Sequence, residues 1–314
     1  MIDSVVVIVV HLVFALAITP VLIGVMRTVR ARLEGRVGGG IVQPWRDVIK
    51  LFAKEPLRAP GSSPVLTWAP LLLMASSLVL CALIPLVSTL PLAGVPGELF
   101  VVVSVLLLGT VALAMLGLEA GTAFGGMGSS RHMVFTALVE PTVLLSIYAL
   151  GVPAGTSALA AIVRSRRDDL SSLLNPVSIL AIAALIVVVI AETGRLPVDN
   201  PATHLELTMV HEAMILESGG RDLGWLEFGS WLRLTALLGL TVNLAVPWAV
   251  AGDASWTALL VGVAATTVKL VAAAALLAAV EVFLAKLRLF RVPELLAGSF
   301  VLAFLSVSAS YLVF

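Results

Sequence analysis

The chain has 314 residues, 60% of them hydrophobic and only 12% charged, with a mean hydropathy of +1.11. A water-soluble domain is about half apolar and about a quarter charged, so lipid has to be part of the solvent. The formal net charge of +0 points to no polyanionic partner, which sets nucleic acid aside.

A helix that crosses the ~30 Å hydrocarbon layer needs roughly 20 apolar residues. In chain order the candidate spans are 5–26, 66–90, 99–118, 132–152, 177–193, 231–250, 256–284 and 294–313. The expected fold is therefore all-α: a polytopic membrane protein of about eight transmembrane helices, forming a single integral membrane domain over 1–314. Ala15-Leu16-Ala17 has the form of a signal-peptidase site. Its flank carries Asp3 and no basic residue, and apolar sequence runs on through Val25, so a retained first helix is expected. Cys81, the single cysteine, reads as a small buried hydrophobe; alone it makes no intrachain disulfide, and a cluster of iron and sulfur needs about four thiolates.

Two polar connections are large, 27–65 and 194–230. They share one side with Arg131, Arg233, Lys286, Arg288 and Arg291, whereas the other side has only Arg164, Arg166 and Arg167 beside Asp168 and Asp169. An excess of Lys and Arg marks the cytoplasmic side, which places both termini outside a cell inner (plasma) membrane. In the first connection Trp45, Val48, Ile49 and Phe52 recur at i, i+3, i+4, i+7, while Arg46, Asp47, Lys50 and Lys54 lie largely off that stripe. This predicts an amphipathic cytoplasmic loop helix, interfacial or facing a soluble partner. Gly35, Gly38, Gly39 and Gly40 before it allow a sharp turn, and no G-x-x-x-x-G-K-[ST] pattern supports nucleotide binding. In the second connection Asn200-Pro201 reads as the start of a helix that runs to about Glu217, rich in His204, Glu206, His211, Glu212 and Glu217.

His204 and His211 stand roughly 10 Å apart along such a helix, too far to share one ion. His211-Glu212 opens like H-E-x-x-H, but Ile215 fills the second His position. Haem between helices fails as well, because His11 and His132 fall near opposite faces. No metal site is expected.

Carboxylates at membrane depth carry the functional reading. Glu140 lies nine residues beyond Arg131, roughly 13 Å into the bilayer, where a charge costs about 2.5–3.5 kcal/mol on insertion scales. Pro141 follows and removes the backbone bond to Ala137. Glu119 and Glu192 stand at the cytoplasmic ends of their spans, and Lys269 lies deep in the seventh with Glu281 three turns on. The bland alternative for each is an end cap or a static ion pair. Taken as a set, Glu206, Asp199, Glu192 and Glu140 descend from the cytoplasmic side into the membrane, which suits a proton relay; Lys269 is the cation expected to belong to it.

Three segments resemble one family. Arg36-Val37-Gly38, then Gln43-Pro44-Trp45-Arg46-Asp47, Lys50 and Lys54-Glu55, look like the first cytoplasmic loop of the H-subunit of respiratory complex I. Ala191-Glu192-Thr193-Gly194-Arg195-Leu196-Pro197-Val198-Asp199 looks like its third, and Arg131 with Glu140 matches its intramembrane pair in spacing. The segments Asp199–Thr208, Phe124–Arg131 and Leu287–Leu296 resemble the membrane subunit of formate-hydrogenlyase-type and other energy-converting [NiFe] hydrogenases more closely. Four positions depart from the patterns: Ala202 and His204 stand where complex I carries acids, His132 where hydrogenases have an acid, and Gly39 at a usual proline.

The resemblance implies a membrane-anchor and proton-coupling subunit that is not catalytic as an isolated chain. It would dock a peripheral arm through residues that include Arg36, Gln43, Asp47, Lys50, Glu55, Arg131 and Arg195, and would sit beside antiporter-like membrane subunits. Iron–sulfur clusters and the NiFe centre would lie on the partner small and large subunits, with none in this chain. Two alternatives stand beside it: a quinone-chamber subunit of a complex I-like NADH dehydrogenase, which would bind a quinone, and a free-standing secondary transporter, for which no internal repeat is evident.

Overall fold

Each of the eight apolar runs becomes a helix. The computed structural model describes residues 2–58, 61–90, 97–169, 173–199 and 209–313. Within them the long helices are α1 (Ile2–Leu33), α3 (Val65–Leu83), α4 (Leu99–Glu119), α5 (Ala123–Gly151), α7 (Pro176–Glu192), α9 (Gly220–Ala245), α10 (Trp256–Phe283) and α11 (Val292–Val313). Three short helices lie between them: α2 (Gln43–Phe52), α6 (Leu159–Asp168) and α8 (His211–Ile215). Among the described residues, six helices are long and apolar enough to cross a membrane. The other two long ones are α7, apolar but only 17 residues long, and α9, whose first half carries Arg221, Asp222 and Glu227, with Arg233 at its middle.

Helix ends differ from the hydropathy reading where polar residues continue a helix or a proline stops one. Span 66–90 is helical only to Leu83: Ile84 is extended, Pro85 follows, and Ser88 instead bridges to Ala251. Helix α5 starts at Ala123 rather than 132, its first turn capped by the Thr122 hydroxyl, which accepts from the Gly125 amide at 3.2 Å. Helix α9 begins at Gly220 rather than 231.

Helix α9 is the axis of the molecule. It packs against α1, α3, α7 and α10 and against the short helices α2 and α6, and every residue from Trp231 to Thr241 is buried. Helices α4, α5, α7 and α11 close one side, while α10 leans on α1 and α9. Leu232, Leu234 and Leu240 fill the centre with Leu80, Leu86, Leu185 and Leu270. Cys81 is buried among them, its thiol against the Leu232 carbonyl at 3.6 Å.

Both large connections fold back onto this core at one end. Beyond Leu33 the chain turns through Gly35 (φ 73) and Gly38 (φ 70), left-handed conformations that a side chain would strain. Helix α2 then packs on α9 through Pro44, Val48 and Phe52, with the Phe52 ring edge-on to Trp225 at 4.6 Å. The expected stripe is rotated: Ile49 is 63% exposed, because the Pro44–Val48 row faces the protein and turns Ile49 outward. In the second connection, residues 200–208, including Asn200, His204 and Glu206, lie outside the described residues. The expected helix from Asn200 to Glu217 is corrected in its described part to five residues, His211–Ile215. Asp199 ends the preceding turn and accepts from the amides of Val210 (3.2 Å) and His211 (3.1 Å), so its carboxylate sets the start of α8.

Candidate functional site: a buried charge chain below a polar cavity

Glu192 is the last residue of α7, and its side chain is only 4% exposed. It makes an ion pair with Arg233 of α9 and accepts from the Thr110 hydroxyl of α4 at 3.3 Å. The same guanidinium donates to the Leu106 carbonyl at 2.8 Å and to Thr110. Gly109 makes room for it: a Cβ there would lie 2.6 Å from Ser76 Oγ and 3.1 Å from Arg233 Nη1. Three helices thus hold one desolvated ion pair, an arrangement that becomes costly if one partner is removed.

Glu140, on α5, feels the charges of both Glu192 and Arg233. Among the described residues its Oε1 is buried without a hydrogen-bond partner, as are Arg233 Nε and His132 Nε2. Buried polar atoms are normally satisfied, so three orphans around one ion pair mark a site rather than a packing seam. A chamber of about 30 Å³ lies here, lined by His132, Glu192, Thr193, His211, Ser230 and Arg233 with Leu73 and Leu113.

Above it a cavity of about 500 Å³ opens between α1, α9 and the second connection. Its walls include Arg27, Arg30, Arg36, Arg195, Asp199, His211, Glu212 and Glu227, with Ile23, Met26, Trp231 and Leu234 as the apolar part. The cations are largely committed. Arg27 pairs with Asp47 at 2.8 Å and lies 5.5 Å above the Trp231 ring. Arg30 and Arg195 both face Glu281 of α10, and Lys286 reaches Asp199 at 3.4 Å. Burial holds the His211 imidazole below its usual value against the pull of Glu227 and Asp199. Burial pushes the Glu212 carboxyl up to about 7, reinforced by Glu227 and Asp199.

The sequence profile of one family, described as NADH dehydrogenase, matches residues 5–311. The chain belongs to the NADH dehydrogenase family. It is 32% identical to hydrogenase-4 component C of Escherichia coli K12, over 82% of this chain and 80% of that protein. It is 28% identical to formate hydrogenlyase subunit 4 of the same organism, over 92% and 93%. Its fold matches a chain of the membrane-bound sulfane sulfur reductase, an archaeal respiratory membrane complex, with a TM-score of 0.83 over 98% of both chains at 18% identity. This family member is a multi-pass membrane protein whose relatives include hydrogenase-4 and formate hydrogenlyase subunits, as the sequence resemblance implied.

The NADH dehydrogenase fold sorts the expected residues into groups. It brings Glu140 and Glu192 together through Arg233. Asp199 lies on the wall of the large cavity, and Glu206 is outside the described residues. Lys269 is not brought to this group: its ammonium contacts the carbonyls of Val246 (2.7 Å) and Trp248 and Asn243 Oδ1 (3.3 Å), around the chain that leaves the far end of α9. Glu119 accepts from the Ser63 amide at 3.0 Å. Of the expected docking residues, Gln43 and Asp47 brace α2 against Arg27, Arg195 is largely buried against Glu281, and Arg131 donates to the Met209 carbonyl at 3.1 Å. Arg36, Lys50 and Glu55 are exposed, as are Arg46 and Lys54. Sequence reasoning missed Arg233, Thr110, Glu227 and Ser230. Arg233 was findable: a full charge two residues into span 231–250 needs a partner, and Glu192 is an acid at the same depth.

Proposed function

We propose that this chain is the membrane-anchor and proton-coupling subunit of a hydrogenase or formate-hydrogenlyase-like complex. The carrying observation is the Glu192–Arg233 ion pair, buried among three helices beside Glu140 and beneath a polar cavity at the basic end. A carboxylate at this depth is expensive unless it holds or passes a charge. In this reading the chain is one membrane domain of eight spans in the inner (plasma) membrane, with the basic end cytoplasmic and both termini outside. Glu140 and Glu192 pass protons that enter through the cavity past Asp199, with Glu206 nearby in sequence. The exposed Arg36, Arg46, Lys50 and Glu55 face a peripheral arm whose small and large subunits carry the iron–sulfur clusters and the NiFe centre. Antiporter-like subunits neighbour it in the bilayer, and the chain by itself catalyses no redox reaction.

Glu140→Gln tests the reading, since it keeps shape and hydrogen bonding but removes titration. The protons moved per electron in sealed vesicles should fall at least tenfold in an assembled complex. Unchanged pumping would make Glu140 a structural residue and end the relay reading. A second reading, a quinone-chamber subunit, rests on the cavity of about 500 Å³, within the ~300–1,000 Å³ of small-molecule sites. Its apolar wall of Ile23, Met26, Trp231 and Leu234 is suited to a ring; binding of a radiolabelled short-chain quinone to the whole complex, lost on Trp231→Ala, would favour it.

A further inference from the structure

The two cavities share a wall. Thr193, His211 and Ser230 line both the large cytoplasm-facing cavity and the small chamber behind it. They come from three elements: the end of α7, the start of α8 and the middle of α9. On the inner side of that wall lie Glu192, Arg233 and His132. No described side chain or backbone group satisfies the buried Nε2 of His132, although the ring lies within electrostatic reach of His211 and Arg233.

A site holds a water when it offers roughly 10–15 Å³ or more and two to four polar partners. The chamber offers about 30 Å³ and has His132, Glu192, Ser230 and His211, each with a polar side chain, among its lining residues. An apolar cavity of this size would stay dry; this one has polar groups on four elements.

We propose that the chamber is a water-filled lock, in which His132 positions water that joins the cytoplasmic cavity to Glu192 past His211 and Ser230. The inference rests on the relay reading and specifies its entry. His132 acts as a positioning residue, since the proton moves along water between the His211 side and the Glu192 carboxylate: one O–H bond breaks as the next forms, with no net change in the chamber. The Arg233 guanidinium, fixed by Leu106 and Thr110, keeps Glu192 paired when it is charged and donates no proton itself. The histidine at 132 suits this task because one ring nitrogen can bind water whichever tautomer it adopts.

The test uses the whole complex in sealed vesicles and reads protons moved per electron. His132→Phe fills the chamber with an apolar ring and should lower the ratio at least tenfold. His132→Gln keeps a hydrogen-bonding group of similar reach and should retain more than half of it. Ser230→Leu plugs the same space from α9 and serves if the phenylalanine variant does not assemble. Full pumping by either plugged variant, or a glutamine variant as inactive as the phenylalanine one, would overturn the lock. Glu140→Gln run alongside separates the two claims. If it pumps normally the relay itself is wrong; if it is inactive while the plugged variants pump, only the chamber is wrong.

Discussion

Glu281 offers the sharpest test of how the basic end is held. Its side chain, at the end of α10, is 1% exposed and faces two guanidinium groups, Arg30 from α1 and Arg195 from the second connection. Breaking a buried ion pair by removing one partner costs ~3–5 kcal/mol. Here the arginines keep 24% and 16% of their side-chain exposure, so hydration recovers part of the loss, and about 3 kcal/mol is expected for Glu281→Gln on the scale of buried pairs. At about 2–4 °C per kcal/mol, the melting temperature of the purified complex should fall by roughly 6–12 °C. The loss should be local first. Arg195 opens the turn that ends in Asp199, and Leu287 donates to the Pro197 carbonyl at 3.0 Å, so amide exchange should quicken in 195–199 and 284–288 before it does in α9. Combining Glu281→Gln with Arg30→Met should be less damaging than the sum of the two, since both remove the same contact. A shift below about 2 °C with unchanged exchange in the 195–199 turn, against the cost expected for a buried pair, would refute the clamp.

Two further outcomes follow from the same end of the molecule. Reversing the exposed Arg46 and Lys50 to Glu should release the peripheral subunits on purification while the chain still inserts; intact co-purification would move the docking surface elsewhere. Glu212, pushed up to about 7 by burial and by Glu227 and Asp199, takes up a proton more readily folded than unfolded. Its contribution therefore favours the fold at low pH and is lost as pH rises from its ordinary value near 4.5 through about 7. Glu212→Gln should flatten the fall in thermal stability between pH 5 and 7, and an unaltered slope would show that another group titrates there.

Hydropathy gave the eight long helices because lipid contact demands continuous apolar runs, and α4, α7, α10 and α11 begin and end within a few residues of the predicted spans. It misplaced the starts of α5 and α9 for one reason. Gly125, Gly128 and Ser129 in α5 and Asp222 in α9 are helical residues buried against other protein segments, so each helix runs beyond its apolar stretch. Depth along each helix put Glu192 and Glu140 in one descending series, roughly 13 Å apart, and did not place both near one guanidinium. Arg233 was legible only as a charge in need of a partner near the depth of Glu192, since which residues of α7 and α9 meet depends on how the helices pack, which residue spacing within one helix does not encode. The place of the Lys269 ammonium, on the carbonyls of Val246 and Trp248, was not legible from depth either. A charge deep in a span suggests a relay, yet a lysine stem is long enough to carry its ammonium to carbonyls beyond the next helix end.

The three arginines of the sparsely charged end share an unexpected use. Arg164 donates to the carbonyl of Thr89 at 3.1 Å, Arg166 to that of Leu244 at 2.8 Å and Arg167 to that of Val250 at 3.4 Å. All three sit on α6: Arg164 reaches the chain after α3, and Arg166 and Arg167 reach the end of α9 and the chain just past it. Helix α6 therefore works as a rivet across the chain after α3 and the chain leaving α9. Its guanidinium groups stitch backbone rather than answer headgroups, so counting them as signals of membrane sidedness understates how lopsided the free charge of this protein is.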